Sequence, residues 1–127
     1  MGAPAIVMGD KVTGMCPIHQ IPAAAGAPAP APPMPFSAPI TVGTVASVLI
    51  GGKPAVVVGC QGFNTPPHAG LHASDPYMAP PMQIGRITAG SATVLIGGQP
   101  AASASSACTC CATPGTLVPT VTTVLIG

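Results

Sequence analysis

The side chains able to ligate a metal or act as nucleophiles are few, and they fall in short clusters. Three histidines (His19, His68, His72) and five cysteines (Cys16, Cys60, Cys108, Cys110, Cys111) are set in "MCPIH", "VVVGCQG", "PPHAGLH" and "ACTCC". Imidazole and thiolate donors together are the set that zinc prefers, and three imidazoles with one thiolate complete a tetrahedral site with no open position. Such a site is structural. The spacing alone does not prescribe it, because "CTCC" is not the paired Cys-x-x-Cys of a zinc finger. Two other readings compete: exposed histidines beside inert buried thiols, or a Cys60 or Cys110 nucleophile with a histidine base. The second lacks an orienting carboxylate, since Asp10 and Asp75 are the only acids. The same shortage removes paired-carboxylate hydrolysis, and no phosphate-cradling Gly-rich loop is present.

The elements that would position these residues are legible as repeats. "VLIGGKPAVVVG" at 48–59 returns as "VLIGGQPAASAS" at 94–105. "TVLIG" at 123–127 supplies the first half of a third copy, and "GAPAIVMG" at 2–9 supplies its second half. The chain therefore reads as three equivalent units, one of them split between its two ends. Each unit is a predicted β-hairpin, an apolar β-branched run turning at Gly-Gly into a second run. Helix signals are nearly absent because Gly and Pro interrupt every long window. The expected class is all-β, a single domain over 1–127.

Composition limits what such a domain can do. The chain is 48% hydrophobic, 2% aromatic and 4% charged, with a net charge of +1. That charge gives no reason to expect nucleic acid, or an anionic membrane, as a partner. No apolar run approaches the ~20 residues of a spanning helix, so stable membrane insertion is not expected. The start shows no secretory signal, and an odd cysteine count suits metal or free thiols in a reducing compartment. Synthesis in the cytoplasm is the expectation. So weakly charged a surface is poorly protected against self-association, so part of it is expected to be covered by a partner.

The histidines and most cysteines fall in the long connections between units. The first contains "PAAAGAPAPAPPMPFSAP" at 22–39, expected as an extended Pro/Ala loop; the second spans 61–83 and the third surrounds "SSACTCCATPGT". Loops of this length need something to tie them down. Three units around an axis would gather them at one end, bringing His19, the His68/His72 pair and the 108–111 cysteines together.

The phrases "GGKPAVVVG", "GSATVLIGGQPAA" and "PAIVMGDKVTGMCPIH" resemble the repeats of the PAAR-repeat family and its PAAR-like members, the spike tips of contractile injection machines such as type VI secretion systems and phage-tail-like particles. The resemblance covers most of the chain apart from the Pro/Ala insert. It implies a small conical domain of three pseudo-threefold β-hairpin repeats with a zinc-bound apex. It further implies a non-enzymatic cap for a trimeric (VgrG-like) spike, one copy per trimer, which helps to pierce a target envelope and can recruit effector cargo. The cap would leave the producing cell at the particle tip. No fused toxin domain is expected after the third unit. Carried over by position, the zinc ligands would be His19, His68, His72 and Cys110, with Cys108 or Cys111 as alternatives to the last. Two departures stand out: "SASSACTC" replaces the usual Gly-Asp element of the third unit, and Cys60 stands where Asp is common. A small zinc enzyme or a β-repeat surface binding module are the rival functions.

Overall fold

The computed structural model describes residues 2–127, in which fourteen strands follow one another with only two single turns of 3-10 helix, Ala24–Gly26 and Pro80–Met82. In chain order the strands are β1 Ala3–Pro4, β2 Lys11–Cys16, β3 Gln20–Pro22, β4 Pro28–Pro30, β5 Met34–Val42, β6 Val45–Ile50 and β7 Lys53–Ala55. They continue with β8 Gln61–Phe63, β9 Ile84–Ile87, β10 Leu95–Ile96, β11 Gln99–Pro100, β12 Cys108–Cys110, β13 Thr113–Val118 and β14 Leu125–Ile126. The fold is all-β. Six strands close a barrel in the order β12-β13-β2-β5-β8-β9. Every pairing in it is antiparallel, so β2, β8 and β12 run the same way and their C-terminal ends meet at one end of the barrel. The connections that follow these three strands carry all the histidines.

The repeated phrases form the opposite end. Leu49 pairs with Pro54 and Ile50 with Lys53; Leu95 pairs with Pro100 and Ile96 with Gln99; Leu125 pairs with Pro4 and Ile126 with Ala3. The split copy thus pairs in the same register as the two continuous ones. Gly51-Gly52 (φ 59° and 82°) and Gly97-Gly98 (φ 60° and 81°) supply the two positive φ angles that a two-residue hairpin turn demands. The expectation that Met1 and Gly127 lie side by side falls on Met1, outside the described residues, although the pairing of Ala3 with Ile126 adjoins it.

The three phrases then lock to one another. Ile6 N–H donates to Ala102 O (3.1 Å), Ala102 N–H to Val56 O (3.0 Å) and Val56 N–H to Ile6 O (3.1 Å), a closed ring of three hydrogen bonds. A second ring-like set runs from Met8 to Pro54, Val58 to Pro100 and Ala104 to Pro4. Ile6, Val56 and Ala102 are fully buried. Burying Ile6 and Val56 contributes roughly 1.5–3 kcal/mol each. Immediately afterwards each phrase makes the same side-chain-locked turn. Val7 N–H donates to Asp10 Oδ2 (2.9 Å), Val57 N–H to Cys60 Sγ (3.3 Å) and Ser103 N–H to Ser106 Oγ (2.9 Å). Cys60 and Ser106 therefore do the work of Asp10 in their own units, as short acceptors for an N–H three residues back.

The Pro/Ala tract departs from the loop expected over 22–39. Pro28–Pro30 pair with Gln20–Pro22, and Met34–Pro39 form the first part of β5, a barrel strand registered on β2 from Cys16↔Met34 to Lys11↔Pro39. Proline survives in a strand bonded on both sides because of parity. Residues 35, 37 and 39 direct their backbone groups away from β2, toward a side where β8 pairs only from Ile40 onward. Only Ser37 has an N–H to satisfy there, and Asn64 Oδ1 accepts it at 3.0 Å. The prolines' fixed φ suits extended backbone, and their missing donors are not needed.

Candidate metal centre

Four buried side chains converge at the end of the barrel from which the long connections emerge. The ligand-type atoms of Cys16, His19, His68 and Cys111 all lie within 4.8 Å of one another. Cys16 closes β2. His19 follows it, held by its own carbonyl, which accepts from Ala31 N–H at 2.9 Å. His68 belongs to the middle connection, where its N–H donates to the buried Gln83 Oε1 at 2.7 Å and its carbonyl accepts from Gln83 Nε2 at 3.1 Å. Gln83 also accepts from Asn64 Nδ2 and donates to Tyr77 O, so one amide organises the whole middle connection. Cys111 occupies the two-residue turn between β12 and β13.

That turn is strained. Cys111 and Ala112 both have positive φ, 50° and 57°, where the turns of the two continuous repeat hairpins use Gly-Gly. A side chain in the left-handed region costs roughly 1–2 kcal/mol. Such outliers persist where the surroundings over-determine them. Here the conformation turns the Cys111 thiol inward, into the cluster.

Hydrogen bonds fix the ring nitrogens. His19 Nδ1 lies 3.0 Å from Asp75 Oδ2, and the same oxygen accepts from Gln20 N–H at 2.9 Å, while Oδ1 accepts from Tyr77 N–H at 2.8 Å. Burial works against the Asp75 carboxylate, but these N–H groups and the His19 ring outweigh it and hold its pKa below the usual value. An ionised carboxylate requires the proton on His19 Nδ1. His68 Nε2 donates to Pro35 O at 2.9 Å, which requires its proton there. The remaining nitrogens, His19 Nε2 and His68 Nδ1, then face each other at 2.9 Å with a lone pair each. That contact suits either a proton shared between the two rings or a cation that draws on both nitrogens. A carboxylate or carbonyl behind the distal nitrogen is also the arrangement that orients metal-bound histidines.

The sulfurs complete the set. Burial pushes the Cys16 thiol up. The bond to the Cys110 sulfur, and then burial, pushes Cys111 up strongly, while that same bond draws Cys110 down. Neither Cys16 nor Cys111 ionises readily without a positive charge, and a bound metal supplies one. Burial likewise holds His68 below the usual histidine range, opposed only in part by Pro35 O. The four residues fit a metal ion. A zinc-sized tetrahedron with these donors needs ligand–ligand edges of about 3.3–3.8 Å, so the two facing nitrogens, now 2.9 Å apart, would have to separate by about 0.4 Å to hold one.

Of the residues singled out from the sequence, His19 and His68 lie in this cluster, Cys110 adjoins it through Cys111, and His72 is outside it. His72 Nε2 donates to Gly26 O at 2.7 Å and its Nδ1 accepts from Ser74 N–H at 3.0 Å, pinning the β3–β4 hairpin to the middle connection. Cys110 is fully buried next to Cys111, and its carbonyl accepts a weak bond from Cys16 Sγ at 3.7 Å. Cys111 was among the alternatives to Cys110. Cys16 carried no assigned role, although its place beside His19 in "CPIH" was a signal. Asp75, Gln83 and Asn64 had no signal at all, being isolated polar residues whose partners are distant in sequence. Among the described residues no helix is long and apolar enough to cross a membrane.

Compared with family models, with curated proteins and with solved structures, the chain gives no match.

Proposed function

We propose that this protein is the tip of a contractile injection spike, a single chain capping a trimer with its apex closed by zinc. The observation that carries the reading is the ring Ile6–Ala102–Val56, through which one chain presents three similarly paired hairpins around a common centre. Each hairpin offers a leucine at the same register position, and these are among the most exposed large apolar residues: Leu49 61%, Leu95 63% and Leu125 57%. Their neighbours Ile50 and Ile126 are buried, so the leucines are free to serve a partner without supporting the fold. Exposed apolar positions repeated in this way mark a docking face. A partner that meets three similar hairpins at once is best built from three similar chains.

The metal centre supports a structural role. It joins the first connection (His19), the middle connection (His68), the end of β2 (Cys16) and the β12–β13 turn (Cys111) at one point. Four protein donors of nitrogen and sulfur match a closed zinc site and leave no position for a substrate, which favours a structural staple over a zinc enzyme. When bound, the ion would neutralise two thiolates and draw on the facing lone pairs of His19 and His68. The protein's own part is to hold those donors, through Asp75 and the Pro35 carbonyl, against an incoming load. Location at the particle tip and carriage of effector cargo belong to the same reading.

The test is co-expression with a trimeric spike protein followed by native mass spectrometry. A complex of one cap per three spike chains is expected. A 3:3 complex, or a free monomer with no affinity for the spike, sinks the reading. Because Asp10 and Asp75 are both buried, the exposed charged side chains are Lys11, Lys53 and Arg86, and the complex should be only weakly salt-sensitive.

A further inference from the structure

The contact between His19 and His68 is one link of a closed circuit of hydrogen bonds whose far side runs through Gln83. His68 N–H donates to Gln83 Oε1 at 2.7 Å, and Gln83 Nε2 donates to His68 O at 3.1 Å and to Tyr77 O at 3.0 Å. Tyr77 N–H donates to Asp75 Oδ1 at 2.8 Å, and Asp75 Oδ2 meets His19 Nδ1 at 3.0 Å. The Tyr77 ring also packs edge-on against the His19 ring, with centroids 5.9 Å apart. Both histidines are therefore referred to one amide, His68 through its backbone and His19 through Tyr77 and Asp75.

Gln83 is anchored for that part. Its backbone is fixed where the middle connection returns to the barrel: its N–H donates to Pro80 O at 3.0 Å, and its carbonyl accepts from Asn64 N–H at 2.9 Å. Its side chain is fully buried. The amide makes two hydrogen bonds at each end, because Asn64 Nδ2 also donates to Oε1 at 3.0 Å. A primary amide supplies two donors and two acceptor lone pairs, so every one of these capacities is used. Glutamate would set an oxygen against the His68 and Tyr77 carbonyls, and an apolar side chain would leave buried polar groups unpaired. Between Asn64 and Gln83 the connection contains no strand, so no sheet ladder of its own spaces His68 from Asp75. The amide does.

We propose that Gln83 is the positioning residue of this centre, holding the His19 and His68 rings in line with the partners behind them through the His68 backbone and the Tyr77–Asp75 link. This rests on the metal reading above for the ion, whereas the placement of the rings belongs to the metal-free protein as well. Ligand atoms held to a few tenths of an ångström depend on the shell that supports them.

The experiment compares the full chain with its Gln83→Glu variant, each first metal-free and then titrated with zinc. Nitrogen NMR of the imidazole rings in the metal-free proteins reads where the protons sit, and competition with a chromogenic chelator reads zinc affinity. In the unaltered chain the protons are expected on His19 Nδ1 and His68 Nε2. Gln83→Glu should turn both rings into mixtures of tautomers and weaken zinc by about 10–100-fold, the usual loss when such support is removed. A residue that merely filled the core would lower the denaturation midpoint of the metal-free protein and leave both readouts in place; that result overturns the proposal. If Gln83→Glu does not fold, Asn64→Ala decides, because Asn64 bonds to Gln83 Oε1 and to Ser37 N–H but to neither histidine. It should move both readouts the same way by a smaller amount, and unmoved readouts again overturn the proposal. Ring signals that respond in a chain that binds no zinc support the positioning role and overturn the metal reading. Zinc bound equally by both chains, with unmoved ring signals, does the reverse.

Discussion

His19 Nε2 faces His68 Nδ1 at 2.9 Å, and each ring is held from behind by a partner at its other nitrogen, Asp75 for the first and the Pro35 carbonyl for the second. Two residues separated by most of the middle of the chain are thus held with these nitrogens on one point. Cys16 and Cys111 close around the same point.

Zinc should bind at one ion per chain, and substitution should separate ligands from neighbours. Cys16→Ser, His19→Ala or His68→Ala are expected to abolish stoichiometric zinc. His72→Ala and Cys110→Ser should retain it, since one pins a hairpin and the other lies beside the cluster. Elemental analysis after gel filtration reads both outcomes, and loss of zinc in the His72→Ala variant would return that histidine to the ligand set.

Asp75 stands behind His19 and would act one step behind a bound metal. Asp75→Asn keeps the shape but weakens the grip on His19, and metal affinity should fall by about 10–100-fold, as is usual for such partners. Competition with a chromogenic chelator measures it. An unchanged affinity would show that Asp75 serves only the Gln20 and Tyr77 backbone.

Acid should destabilise the metal-free protein. The folded pKa of His68 is depressed below the ordinary 6.5, so the unfolded chain binds the extra proton and stability declines as pH falls below about that value. Asp75 is depressed below 3.8, and its contribution, complete above that pH, is lost in the same direction further down. The unfolding midpoint in denaturant at pH 7, 5.5 and 3 should fall in that order. A midpoint that rises on acidification contradicts the burial of a neutral His68.

The strained turn gives a gain-of-stability test. Ala112 is exposed and has φ 57°, so Ala112→Gly removes left-handed strain without removing packing. An increase of about 0.5–1 kcal/mol is expected, after the entropic cost of glycine offsets part of the strain. Chemical denaturation reads it directly, and a loss of stability would mean the turn is not strained.

At the opposite end, exposed leucines and buried isoleucines should behave differently. Leu49→Asp, Leu95→Asp and Leu125→Asp are expected to leave the melting temperature nearly unchanged while weakening capture by the spike. Ile50→Asp buries an unpaired charge and should unfold the domain. Equal damage to folding from both kinds of substitution would remove the leucines from any docking face.

What the sequence determined by itself were the local features. Gly51-Gly52 and Gly97-Gly98 announce tight hairpins because few other residues accept two successive positive φ angles, and the apolar runs around them announce strands. The candidate metal site was also legible as a class, since histidine and cysteine gathered in connections between strands are the donor set of such an ion. The Pro/Ala tract misled because proline marks loops on average; its strand depends on which side of β5 lacks a partner, and that is a property of the barrel. The ligand set was decided by tertiary structure for a similar reason. Cys16 and Cys111 point inward because β2 ends there and because a two-residue turn is forced into the left-handed region, while His72, four residues from His68, is captured by Gly26 of a different hairpin. Spacing along the chain lists the candidates; the direction in which each side chain leaves the closed barrel selects among them.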